Sequence, residues 1–271
     1  MTLKEIKESL RTDKKAVKEC MEFKKTTFKT ADAVNTSEIK TEIVSKALHT
    51  SKEHDTDTVL KRTIIGNTYN WMDSHGDVHL DNTFKNSIKQ RGAAGKIWHL
   101  HDHEQKMTSK VGVPTKVYEQ EVNWTDLGVD KKGTTTALMM DTNVMKAYNG
   151  LMFQEYKDGN VDQHSVGMYY VQIDLAVNDS EFKEEFATWE STIDKIGNKD
   201  LAETEGYFWA VKEAKLIEIS AVLEGSNELT PTVEAKDNQP SNDIDSEPSI
   251  GTQKALNEKA KKEVFLKLIT H

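Results

Sequence analysis

The chain has 271 residues, but only one cysteine, four prolines and no long apolar run. A lone thiol, Cys20, excludes an internal disulfide and any zinc site built on cysteines, and fits a reducing compartment. Cys20 sits in a Lys/Glu-rich helical segment without an evident partner, which argues against a nucleophilic role. No stretch approaches the ~18–20 apolar residues that span a bilayer. The opening Met1-Thr2-Leu3-Lys4-Glu5 lacks the apolar core of a secretory leader. Neither a membrane partner nor a secretory signal is therefore expected. Positive charge is in deficit as well: 36 Lys and Arg face 45 Asp and Glu, a net charge of −9. That balance argues against a general nucleic-acid binder. At 36% hydrophobic and 30% charged, the chain reads as a soluble protein with a modest core, organised as one large domain or two small ones.

What is present changes texture along the chain. Residues 1 to 50 carry 11 basic and 8 acidic side chains with sparse apolar positions. Leu3, Ile6 and Leu10, then Val17, Cys20, Met21 and Phe28, keep loose helical spacing. We read residues 1–55 as a helical, partly disordered arm. From residue 56 to 228 the pattern is that of a folded domain rich in strands. Strands are expected at 59–66, 111–114, 116–124, 134–140 and 168–177, with one bent strand or two over 206–223. A strand also begins at 96. Between them, Asp81 or Asn82 is positioned to cap a helix through Phe84 and Ile88. Asn143 is positioned to cap another that ends at Gly159. Phe182, Phe186, Trp189 and Ile193 make an amphipathic helix within 179–201. Residues 229–251 read as an acidic linker. The stretch 228–250 holds three of the four prolines and six acids against one lysine. Residues 252–271 form a terminal helix candidate.

Three chemistries compete for the central domain. His99, His101 and His103 alternate, so a continuing strand would present all three on one face, as a metal-dependent hydrolase requires. Alternatively, Ser165 lies at the mouth of a strand in Gln163-His164-Ser165-Val166-Gly167, where Gly167 permits close backbone approach. A serine nucleophile needs a base and an acceptor that orients the base. His101 supplies the one. Glu218, the carboxylate inside the apolar run Leu216-Ile217-Glu218-Ile219, supplies the other, unless it simply points outward. The third reading is a non-enzymatic capsid assembly protein with charged arms.

The order of these residues resembles a known family, the prohead maturation serine proteases of tailed bacteriophages, relatives of the herpesvirus assemblins. The resemblance covers roughly residues 58–228. It rests on Asp73-Ser74-His75-Gly76-Asp77 followed by Phe84, on Trp98-His99-Leu100-His101-Asp102 followed by Val111-Gly112, on Ser165-Val166-Gly167-Met168, and on Glu218-Ile219-Ser220-Ala221-Val222. An extra residue between Trp98 and His101 leaves His103 as an alternative base, Gly225 stands where the family has proline, and the 179–201 helix is an insertion. The resemblance implies an α+β, mainly β fold: a closed or partly closed β-barrel surrounded by helices. It implies a Ser165–His101–Glu218 triad, backbone oxyanion donors near 223–226, no cofactor and a homodimer. It also implies scaffold and major capsid proteins as substrates inside a prohead assembling in the host cytoplasm, and tails removed by self-cleavage.

Overall fold

The computed structural model describes residues 1–30, 49–51 and 55–236. They belong to one compact unit, Met1–Asp237. Two helices open the chain, α1 (Leu3–Thr12) and α2 (Lys15–Thr26). The strands are β1 (His49–Ser51), β2 (Val59–Thr68), β3 (Asp77–His79), β4 (Trp98–His101), β5 (Lys110–Asn123), β6 (Thr134–Met145), β7 (His164–Val177), β8 (Tyr207–Ala221) and β9 (Thr232–Lys236). They form one mixed sheet in the order β1-β9-β2-β6-β5-β4-β8-β3, with β7 paired to β8. The fold is therefore α+β, as expected. The closed barrel is not formed among the described residues: the hydrogen-bonded path starts at β1 and stops at β3, and the sheet is open.

Strand β8 is the spine. One edge carries β7 antiparallel along almost its whole length. The other edge is shared, with β3 parallel at Trp209–Val211 and β4 parallel at Glu218–Ala221. Alternating aliphatic and aromatic residues put Val166, Met168, Leu216 and Ile219 into the largest core cluster with Leu60, Ile64 and Phe153.

Several local expectations change. Val111 to Asn123 is one strand, not two, interrupted by a bulge between Pro114 and Lys116; proline lacks the ladder N–H and is tolerated where pairing breaks. Asn143 does not cap a helix but pairs within β6. The helix, α4 (Gly150–Asp158), is capped by Asn149, whose side chain accepts from the Met152 N–H, and it does end at Gly159. The helix expected through Ile88 is a single turn, α3 (Lys85–Ser87), running into a π-helical turn. The 179–201 helix breaks into α5 (Lys183–Thr192), a 3-10 turn and α6 (Lys199–Glu205). The linker does not start at 229: Leu229, Thr230 and Val233 are buried and β9 joins the sheet. The acidic stretch 237–251 and the terminal helix 252–271 lie outside the described residues.

Within the expected arm, residues 1–30 pack one face against the core. Thr2 and Glu5 form a reciprocal capping box, and Ile6, Leu10 and Val17 are buried. The chain then pairs with β7, the Lys29 N–H donating to the Met168 carbonyl at 2.9 Å. Its ammonium is fully buried between Asp73 Oδ2 at 2.5 Å and Asp77 Oδ2 at 2.7 Å. Lys24 reaches Asp77 Oδ1 at 2.7 Å, and the Tyr170 hydroxyl donates to the same carboxylate. Burial alone would raise the Asp77 pKa, but Lys29 and Lys24 outweigh it and hold the group well below the usual carboxylate range. The Asp-x-x-x-Asp motif is thus the socket for the arm. Lys29→Met removes the counter-charge and strands two buried carboxylates. It is expected to cost about 3–5 kcal/mol, read as a fall in the urea midpoint, and Asp73→Asn in the same chain is expected to recover part of the loss.

Candidate active site around Ser165

Ser165 stands opposite Ser220 in the β7–β8 ladder, and Gly167 stands opposite Glu218. Directly opposed residues share a face and successive ones alternate, so Ser165, Ser220 and Glu218 project from one side of the sheet. Glu218 does not point outward: it is 0% exposed. Gly167 explains how a carboxylate fits there. A Cβ at that position would overlap Glu218 Oε1 and meet Phe28 Cζ at 2.6 Å. The close approach foreseen for this glycine is therefore made by a side chain.

Glu218 Oε1 lies 2.6 Å from His103 Nδ1. The expected base, His101, is not the histidine that meets Glu218. In the parallel β4–β8 pair, Leu100 stands opposite Ser220 and His101 opposite Ala221. By alternation His101 faces the other side of the sheet from Ser165, and its Nδ1 contacts Asp102 Oδ2 at 2.9 Å. His103 reaches the correct side because the strand ends. Asp102 and His103 both adopt left-handed backbone, φ +52° and +54°, and the turn folds the His103 ring back over β8. Two consecutive non-glycine residues in that region store strain of a kind that clusters at functional sites. The same turn removes the three-histidine metal face. His99 is buried apart from His101 and from the contact of His103 with Glu218, and among the described residues no group of three metal-ligating side chains is placed to hold an ion.

A carboxylate can only accept, so the proton in this bond sits on His103 Nδ1, and Nε2 is the ring nitrogen left facing away from Glu218. That Nε2 is buried and has no hydrogen-bond partner among the described residues, and the same holds for Ser165 Oγ. The two are not bonded to each other; in ligand-free sites such bonds are often long and tighten when substrate binds. Ser165 is 3% exposed and the His103 side chain 6%. The bends after β8 bring Gly225 against the carbonyl of His164, the residue before Ser165; a Cβ at Gly225 would lie 2.6 Å from that oxygen.

Behind the sheet, a chain of hydrogen bonds missed by the sequence reading fixes His164. Its Nδ1–H donates to the Thr230 carbonyl at 2.9 Å, so its Nε2 accepts from the Tyr156 hydroxyl at 2.8 Å. Tyr156 accepts in turn from His99 Nε2–H at 3.0 Å, and His99 Nδ1 accepts from Thr142 at 3.1 Å. Gly112 clears room for this last ring: a Cβ there would lie 2.9 Å from His99 Nδ1. A separate polar cleft lined by Asn70, Glu121, Lys131, Thr135 and Asp194 includes none of the residues around Ser165. No protein-family model, curated protein or solved structure matches this chain.

Both network histidines are neutral. Burial lowers the pKa of His164 to about 4 and, with the nearby His164 adding to the effect, that of His99 to about 3. His79, buried against Phe84, is lowered to about 4 by burial and by Lys29. The unfolded chain takes up these protons near pH 6.5, so below that value it binds more protons than the folded state. Stability should therefore fall as pH drops from 6.5 to about 4, by at most about 1.4 kcal/mol per pH unit for each histidine. Denaturant midpoints between pH 7 and 4 check this, and His164→Asn should make the slope shallower.

Proposed function

We propose that the chain is a serine endopeptidase with Ser165 as nucleophile, His103 as base and Glu218 as the group that orients the base. The observation that carries this reading is the pair of buried, unpartnered atoms, Ser165 Oγ and His103 Nε2, on the side of β8 where Glu218 holds His103 by Nδ1. A buried polar atom without a partner costs free energy; Asn67, Asn70, His75 and His79 also carry such atoms, but among the described residues only this pair sets a hydroxyl beside the strand whose glutamate holds the imidazole. Here the two atoms are those that proton transfer needs free.

In this reading Ser165 Oγ attacks the scissile carbonyl carbon while its proton passes to His103 Nε2. The imidazolium, stabilised by Glu218, returns the proton to the leaving amine. Water then hydrolyses the acyl-enzyme by the same route. Backbone amides of residues 223–226 are the proposed oxyanion donors, because the bend at Gly225 lies against the His164 carbonyl. The motif order supports a place among prohead maturation proteases. The open mixed sheet then stands for a partly rolled assemblin-like barrel, the substrates are phage scaffold and capsid proteins, the working form is a homodimer in the assembling prohead, and self-cleavage trims the tails.

The test is reaction with a fluorophosphonate probe, followed by intact mass and peptide mapping. A single adduct at Ser165 is expected, lost in Ser165→Ala, together with self-cleavage fragments present only in the wild type. His103→Asn keeps a donor near Glu218, suits the left-handed backbone and lacks the second ring nitrogen. It should slow labelling by about 10⁴-fold or more. His101→Ala should stay within about threefold of wild type. The reverse ranking of the two histidines, or no adduct at Ser165, would refute the assignment.

A further inference from the structure

Beyond the triad, we infer that Ser220 is a positioning residue that locks both the carboxylate and the base from a single hydroxyl. The inference rests on the proposed Ser165–His103–Glu218 chemistry and adds a member to it. Ser220 is fully buried and stands directly across the ladder from Ser165. Its Oγ donates to Glu218 Oε2 at 2.6 Å. The same oxygen accepts the backbone N–H of His103 at 3.2 Å. A hydroxyl has one donor and two acceptor sites, so both bonds are made at once.

Each bond solves a separate geometric problem. Glu218 has two oxygens, and both are engaged. Oε1 is committed to His103 Nδ1 and Oε2 to Ser220, which leaves the carboxylate no free rotation about its last bond. His103 sits in a left-handed turn that an L-residue leaves readily. Its N–H on Ser220 is the tie that holds the turn over β8, and the ring on Glu218 is the second. Ser220 thus ties the base to β8, the strand on which β7 and its nucleophile are paired, and makes no hydrogen bond to Ser165 Oγ or His103 Nε2.

The test is the fluorophosphonate reaction resolved into saturation and inactivation constants, on the full chain, for wild type, Ser220→Ala and Ser220→Thr, with thermal melts alongside. Ser220→Ala should lower the inactivation rate constant ~10–100-fold and leave the saturation constant within about twofold. The threonine hydroxyl should restore the rate to within about fivefold of wild type. Should alanine label at the wild-type rate, or should both variants lose rate in step with a fall in melting temperature, the positioning role is overturned while Ser165 stands. An absence of labelling at Ser165 in the wild type overturns the nucleophile and the positioning role together.

Discussion

A carboxylate wholly removed from water in the middle of a strand is the constraint around which this molecule is arranged. Glu218 is 0% exposed, with Ile219 and Leu216 in the core beside it. Desolvating such a group costs several kcal/mol unless charge-assisted hydrogen bonds and a counter-charge recover it. Each neighbour can be read as an answer to that cost. Gly167 gives up its side chain so that Oε1 has space. His103 leaves the line of β4 through a strained turn to place Nδ1 at 2.6 Å. Ser220 supplies the donor for the second oxygen. The result is a polar cluster in which two buried side-chain atoms are left without a partner, Ser165 Oγ and His103 Nε2.

The rest of the sheet keeps that cluster rigid from both faces. On one side, the Thr142–His99–Tyr156–His164–Thr230 chain ties β4, β6, α4 and β7 to the segment before β9, so the residue before Ser165 has both ring nitrogens fixed. Its direction is set by the Thr230 carbonyl, which can only accept. On the other, Lys29 pins the N-terminal segment to β7 by a backbone bond at Met168 and by its buried ammonium, and Phe28 is carried against Gly167. The helices α1 and α2 therefore act on the site through covalent continuity with Lys29. The Asp73 and Asp77 carboxylates, distant from Glu218 along the chain, matter to it for the same reason.

Much of the fold was legible in the sequence because it rests on local pattern. Val59 onward, Thr134 onward and the run from Tyr207 carry the β-branched and aromatic side chains that a half-buried pleat selects, and the structure has strands there. Gly159 and Asn149 behave as helix punctuation; the error at Asn143 came from choosing the wrong one of two asparagines six residues apart. The sheet's failure to close was not legible, because closure depends on pairing between strands distant in the chain and not on the composition of any one of them.

The histidines show where local pattern stops being informative about a site. Alternation predicts a common face for His99, His101 and His103 only while the strand persists, and it persists just to His101. Two residues in left-handed conformation reverse the direction of the chain, and with it the side of the sheet the next imidazole occupies. Neither Asp102 nor His103 announces this, since both tolerate that region without requiring it. Parity along β7 and β8 was legible in principle: Ser165 and Gly167 are two apart, as are Glu218 and Ser220, so once the register pairs one couple the other follows. The histidine that meets Glu218 could be assigned only from the turn, because its side of the sheet depends on backbone dihedral angles at Asp102 and His103 and not on its spacing from Trp98.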